Sequence, residues 1–130
     1  MEFIKVSSEV DKIAKEVVDS AFHVHKSLGP GLLESVYEAC MLHELQKRGM
    51  KVESQKTISV IYDGLKIDAG LRLDLLVEDE VVVELKSVET ILPVHDSQLL
   101  SYLKLANKRL GLLINFNVPV IKDGIRRRIL

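Results

Sequence analysis

The sequence predicts a single α/β or α+β domain built on one mixed sheet. Two segments with the three- and four-residue apolar spacing of helices come first, and short β-branched or alternating segments follow. A third helical segment then lies between two later strands, which is typical of a layered α and β domain. The 130 residues are enough for one domain, which we expect to span residues 1–130.

The first two elements are predicted helices separated by a Gly-Pro-Gly break. The apolar residues of Ser7–Leu28 recur on one helical face, and Ser8 is the expected N-cap. Residues 29–31 must end this helix. A second helix is expected from about Leu32 to Arg48, with Gly49 just after its end. Its apolar arc is expected to contain Leu33, Val36, Tyr37 and Cys40, with Glu34 at the edge.

The middle of the chain has the composition of strands. Thr57–Tyr62 is rich in β-branched residues and precedes Asp63-Gly64, a strong hairpin turn signal. Leu71–Val77 and Val81–Lys86 are predicted to form an antiparallel hairpin through the loop 78–80.

One helix and two strands complete the predicted order α-α-β-β-β-β-α-β-β. The helix follows Pro93 and runs from about Val94 to Asn107. Leu110–Phe116 is apolar on both faces, as in a buried strand. Ile125–Leu130 is expected to be an edge strand.

Composition excludes several classes of protein. The 18 Lys and Arg nearly balance the 19 Asp and Glu, so no global positive field indicates a nucleic-acid binder. Cys40 is the only cysteine, which excludes an internal disulfide framework and an all-cysteine metal site. No apolar run approaches the ~18 residues of a membrane span, and the N-terminus lacks a signal-peptide pattern. We therefore expect a cytoplasmic protein with no membrane partner.

The predicted hairpin concentrates four charges at one end. If residues 78–80 form its loop, Asp74 lies opposite Glu84, and Arg72 lies opposite Lys86. Strict alternation would place all four on one face. The other face would carry Leu71, Leu73, Leu75, Val77, Val81, Val83 and Leu85.

Two interpretations of this charged end remain open. Opposed carboxylates have Cβ atoms roughly 4.5–5.5 Å apart and repel, so one of them must lose its charge or find a cation. Mg²⁺ suits such oxygen ligands, and Lys86 could bind a phosphate beside it. The alternative is a structural set of salt bridges that pairs Asp74 with Lys86 and Arg72 with Glu84.

Three motifs in this order resemble the PD-(D/E)xK nuclease superfamily. Residues 72–74 and 84–86, with nine residues between them, are similar to its signature, although Leu73 stands where the name has proline. Residues 98–102 resemble the QxxxY motif of the RecB-like branch. Residues 31–37 resemble the motif that names the GxxExxY family.

The resemblance implies a fold and an activity. The fold would be a restriction-endonuclease-like α-β-β-β-α-β core, with a mixed sheet flanked by helices. The activity would be that of a phosphodiester hydrolase that needs Mg²⁺ or Mn²⁺ and acts on DNA, with RNA not excluded. The alternative is a non-catalytic module that keeps the fold and binds nucleic acid or protein.

The resemblance also implies roles for residues of the charged end. Asp74 and Glu84 would be metal ligands, with the Leu85 carbonyl as a third. Lys86 would orient or activate the attacking water. Glu34 would be an additional ligand or would hold a metal-bound water.

Further candidates lie on the helices. Gln98 and Tyr102 would brace the lysine or contact a DNA phosphate. RecB-like members often use a histidine from an early helix as a metal ligand, which makes His25 a candidate. The alternative for His25 is a partly buried, hydrogen-bonded histidine.

Basic residues near the end of the third helix and in the last strand are candidates for phosphate contacts. The candidates are Lys104, Lys108, Arg109, Arg126 and Arg128. The alternative for the last strand is a solvated edge whose charges deter aggregation. Because this basic surface is small, we expect a homodimer or a larger complex.

Overall fold

A computed structural model describes residues 6–68 and 70–130. Its elements follow the predicted order, with one more strand in the middle. In chain order they are α1 (Ser8–Leu28), α2 (Glu34–Lys47), β1 (Val52–Thr57), β2 (Val60–Tyr62), β3 (Leu65–Ile67), β4 (Arg72–Val77), β5 (Val81–Lys86), α3 (Pro93–Ala106), β6 (Leu110–Asn115) and β7 (Ile125–Ile129), with a 3-10 helix at Ile121–Gly124.

The five-stranded sheet is mixed and has the order β1-β4-β5-β6-β7. Strands β5 and β6 are parallel, and α3 connects them, whereas the other neighbours are antiparallel. Helices α1 and α2 pack on one face and α3 on the other, so β6 is buried along its whole length. This is the predicted mixed sheet flanked by helices, in a restriction-endonuclease-like arrangement.

Gly111 lets α3 approach the sheet closely. A Cβ at this position of β6 would lie 2.7 Å from Leu99 Cδ1 on α3. The missing side chain therefore sets the distance between α3 and the strands beneath it.

The prediction for Thr57–Tyr62 is wrong in its boundaries. Thr57 ends β1, and Val60–Tyr62 belongs to a separate two-stranded sheet with β3. The predicted Asp63-Gly64 turn does connect these two strands. Strand β1 itself was not predicted, because an edge strand with the sequence VESQKT buries little surface and shows no apolar alternation.

Two predictions for the helices need correction. The N-cap of α1 is Ser7 rather than Ser8, because the Ser7 side chain accepts a hydrogen bond from the Val10 N–H. The buried face of α2 contains Tyr37, Met41, Glu44 and Leu45, whereas Leu33 is the N-cap and is 74% exposed. Contact with α1 and the sheet decides which stripe of this weakly amphipathic helix is buried.

The β4–β5 hairpin has the predicted register at its closed end, where Leu75 pairs with Val83, Leu76 with Val82 and Val77 with Val81. Pairing stops before Asp74 and Glu84, and Arg72 pairs with Thr57 on the other side. Leu73 packs against α3, whereas Leu75 faces α1 and α2. The prediction that both side chains lie on the same face of the sheet is therefore wrong. The strands separate at Asp74.

No helix among residues 6–68 and 70–130 is long and apolar enough to cross a membrane.

Candidate active site

Asp74 lies where β4 and β5 stop pairing. Its Oδ2 accepts a 2.8 Å hydrogen bond from the backbone N–H of Leu85. On the other side of β4, Gln55 of β1 lies opposite Asp74, between two positions at which these strands pair. The φ of Gln55 is 52°, which lies in the left-handed region. The change of face between Leu73 and Leu75 occurs at this same point. The irregular backbone thus brings the Asp74 carboxylate into the gap between the strands.

Glu84 is a buried carboxyl beside Asp74. Only 5% of its surface is exposed, and its Oε1 has no hydrogen-bond partner among the described residues. Burial, followed by the negative charge of Asp74, raises the pKa of Glu84 to about 9, while Lys86 opposes this shift. Without a cation, Glu84 is therefore protonated at neutral pH.

Lys86 is half-buried and follows Glu84 on the same side of β5. None of the ion pairs among the described residues joins Asp74 or Glu84 to Arg72 or Lys86. The structural salt bridges that the sequence left open are therefore not formed in the described part of the chain.

A cavity of about 150 Å³ lies between the start of α2 and the gap in the sheet. Glu34 and Glu38 project from one face of α2, and Gln55 Nε2 donates a 2.6 Å hydrogen bond to Glu38 Oε1. Burial raises the pKa of Glu38, helped by the charges of Asp74 and Glu34 and opposed by the Gln55 hydrogen bond. The cavity is lined by Glu34, Ser35, Glu38, Gln55, Asp74 and Leu85.

Glu38 and Gln55 were not among the predicted site residues. Glu38 follows Glu34 by four residues, a spacing that could have indicated a shared helix face. No local signal marks Gln55, because it enters the site through the pairing of β1 with β4.

Tyr37 positions the start of α2 from within the core. Its hydroxyl donates a 2.6 Å hydrogen bond to the Gly29 carbonyl and accepts one from the Leu32 N–H at 3.1 Å. Its ring stacks on Phe116 at 4.4 Å between centroids. The Ser87 hydroxyl also donates to the Leu32 carbonyl, at 2.5 Å. These contacts tie the loop before Glu34 to the chain that follows Lys86.

Tyr102 of α3 faces the carboxylates. Burial raises its pKa, and the charges of Glu84 and Asp74 raise it further. Gln98 lies one turn earlier on α3 and is exposed. His95 accepts a 2.9 Å hydrogen bond from the Leu92 N–H through Nδ1, and so caps this helix.

Asn115 is a buried polar residue that the sequence analysis did not single out. It accepts a hydrogen bond from the Val88 N–H and donates one to the Val88 carbonyl. It pairs with Lys86 across the parallel strands and so holds the backbone just beyond this lysine. An asparagine in an otherwise apolar strand could have indicated from the sequence that this residue has a specific polar contact.

His25 lies outside the carboxylate cavity. It is buried, its Nε2 is 2.8 Å from the Val118 carbonyl oxygen, and its ring lies 6.4 Å from that of Phe116. The structure thus shows the buried, hydrogen-bonded histidine that the sequence left as one alternative.

Most of the candidate phosphate-binding residues form contacts within the chain. Arg126 and Arg128 share a face of β7, and both pair with Asp96 of α3. Lys108 pairs with Asp79. Arg109 donates to the Leu130 carbonyl, and Lys104 is exposed.

A family model of the PD-(D/E)XK nuclease superfamily matches residues 11–128. This chain belongs to that superfamily. No curated protein and no solved structure matches it. The superfamily comprises nucleases, which are phosphodiester hydrolases and generally use divalent metals.

The residues of this PD-(D/E)XK site fit a hard divalent cation. The Asp74 carboxylate and the unpartnered Glu84 Oε1 are the oxygen donors that Mg²⁺ and Mn²⁺ accept. In the described part of the chain, no three His, Cys, Asp or Glu side chains form a ready metal cage. A cation with few protein ligands and several waters suits this arrangement, and Mg²⁺ binds in this way.

Proposed function

We propose that this protein is a nuclease that needs Mg²⁺ or Mn²⁺ and cleaves DNA. The observation that supports it best is the buried Glu84 carboxyl, which lies beside Asp74 and has an oxygen without a partner. A buried pair of carboxyls cannot carry two negative charges without a cation, so Glu84 keeps a proton at neutral pH, and a divalent cation between the two groups would replace that proton.

Asp74 and Glu84 would hold the cation, with the Leu85 backbone carbonyl as a further oxygen ligand. The Leu85 N–H already holds Asp74 in place, so this ligand requires little rearrangement. Glu34 would contribute from the start of α2, where Tyr37 ties down the preceding loop. The cation would polarise the phosphodiester and activate water.

Lys86 would act on the water and on the phosphate. It follows Glu84 on the same side of β5, so its ammonium group would orient or activate the attacking water and stabilise negative charge on the phosphate oxygens. Tyr102 and Gln98, one turn apart on α3, would brace this lysine or contact a phosphate. The proposal includes membership of the GxxExxY family and the RecB-like branch, which the resemblance of residues 31–37 and 98–102 supports.

We further propose that the single domain works as a homodimer. Arg126, Arg128 and Lys108 are engaged with Asp96 and Asp79, so these three candidates in one copy offer DNA little free positive charge. A second copy would double that surface and present two sites to two strands.

A cleavage assay tests the proposal. The purified protein is incubated with linear, circular, branched and single-stranded DNA and with RNA, in Mn²⁺, in Mg²⁺ and in chelator. We expect cleavage of DNA in the metal-containing reactions only. Cleavage in chelator would contradict the mechanism, and DNA binding without cleavage would favour the non-catalytic module.

A further inference from the structure

We propose that Glu38 is a further cation-binding side chain of this site and that Gln55 is its positioning residue. The inference rests on the proposed function, because it concerns the same cation. It concerns the wall of the cavity that α2 and β1 form, across from Asp74 and Leu85.

Glu38 shares the cavity with other carboxylates. It lies one helical turn after Glu34, and both side chains line the space that Asp74 enters from the sheet. Like charges at this helical spacing repel. Three acidic side chains around one cavity therefore favour the presence of a cation between them.

The buried carboxyl of Glu84 is an independent sign of a ligand. Glu84 adjoins Asp74, which lines the cavity, and it is 5% exposed with an Oε1 that has no partner among the described residues. An acidic cluster on the surface alone would not contain such a group, because exposed carboxylates are solvated.

Gln55 holds Glu38 at a conformational cost. Its φ of 52° is unfavourable for a residue with a side chain of this kind, and such conformations cluster at functional sites. From this position its amide donates a 2.6 Å hydrogen bond to Glu38 Oε1. The bond fixes the carboxylate against the cavity wall, as outer-shell hydrogen bonds fix metal-binding carboxylates.

Binding through water suits the geometry. No three acidic, His or Cys side chains in the described ranges form a direct metal cage, whereas Mg²⁺ usually retains several waters. The cavity of about 150 Å³ has room for some of these waters. Glu38 would therefore bind the hydrated side of the cation that Asp74 and Glu84 hold directly.

The test measures Mn²⁺ binding rather than cleavage. Titrations followed by electron paramagnetic resonance compare the parent with Glu38→Gln, Gln55→Asn and Asp74→Asn. Asparagine tolerates the left-handed conformation but is too short to keep the bond to Glu38. Glu80→Gln, in the exposed β4–β5 loop, removes the same charge far from the cavity and is the matched control.

We expect Glu38→Gln and Gln55→Asn each to weaken Mn²⁺ binding about 10-fold. Asp74→Asn should abolish it, and Glu80→Gln should leave it unchanged. If Asp74→Asn abolishes binding while Glu38→Gln and Glu80→Gln behave alike, this inference is wrong and the proposed function stands. If the parent binds no Mn²⁺, or Asp74→Asn binds it as the parent does, the proposed metal site and this inference both fail. Circular dichroism confirms that each variant is folded.

Discussion

The Leu85 N–H donates its hydrogen bond to the side chain of Asp74 and not to a backbone carbonyl of β4. A regular antiparallel ladder would continue past Leu75 and Val83, and would close the space between the strands. The side-chain acceptor keeps the Leu85 N–H satisfied while the strands separate. It also fixes the Asp74 carboxylate at the opening, next to Glu84.

Cleavage should depend on Glu84 and Lys86 more than DNA binding does. We expect Glu84→Gln and Lys86→Ala to lower the cleavage rate about 100-fold or more, because Glu84 would hold the cation and Lys86 would stabilise charge on the reacting phosphate. DNA affinity should change little, since in the proposed complex the phosphate contacts would be spread over several basic residues. Cleavage kinetics and fluorescence anisotropy measure the two effects, with Glu80→Gln as the control. A variant that loses binding and cleavage equally would contradict these roles.

The stability of the metal-free protein should fall as the pH rises from about 5 toward 9. The folded state retains the Glu84 proton up to a pKa of about 9, whereas the unfolded chain releases it near 4.5. The unfolded state therefore binds fewer protons across this window, and the free energy of unfolding decreases. Glu84→Gln should reduce this decline and be more stable than the parent at pH 8, by on the order of 1–3 kcal/mol. Urea denaturation in chelator measures it, and a parent with pH-independent stability would refute the shift.

The free energy of unfolding of Asp74→Asn should distinguish a metal site from a structural role of the Asp74 charge. Asparagine keeps an acceptor oxygen for the Leu85 N–H and removes the charge beside Glu84. In chelator we expect its free energy of unfolding to equal that of the parent or exceed it by up to ~1 kcal/mol. Mn²⁺ at 100 times its Kd should stabilise the parent by about 2.7 kcal/mol and the variant much less. Thermal melts decide, and a destabilised variant beside a parent that Mn²⁺ does not stabilise would contradict the metal site.

Tyr37→Phe should weaken both the fold and the site. The ring can still stack on Phe116, but the hydrogen bonds to Gly29 and Leu32 are lost. We expect a loss of about 1–3 kcal/mol in the free energy of unfolding, because the loop carbonyl and amide lose a buried partner. Mn²⁺ affinity should fall as well, since this loop positions Glu34. Tyr62→Phe in the exposed β2–β3 hairpin is the control and should change neither quantity.

The sequence was sufficient where the signals are local. Helical spacing located the helices, and the three-residue loop after Val77 set the register of the β4–β5 hairpin. The Gly-Pro-Gly break and the spacing of Asp74 and Glu84 marked the region of the candidate site. These features are predictable because turn chemistry and periodicity act between residues that are near each other in the chain.

Tertiary structure decided the rest, because the contacts concerned join distant parts of the chain. The separation of β4 from β5 depends on β1, whose Gln55 lies opposite Asp74 and reaches Glu38 on α2. Arg126 and Arg128 form ion pairs with Asp96, which lies some thirty residues earlier in the chain. The sequence by itself indicated Asp74, Glu84 and Lys86 as candidate groups, and their catalytic roles stay a prediction. Only packing decided how many carboxylates share the cavity, since a side chain's neighbours depend on which helix and strand are brought against it.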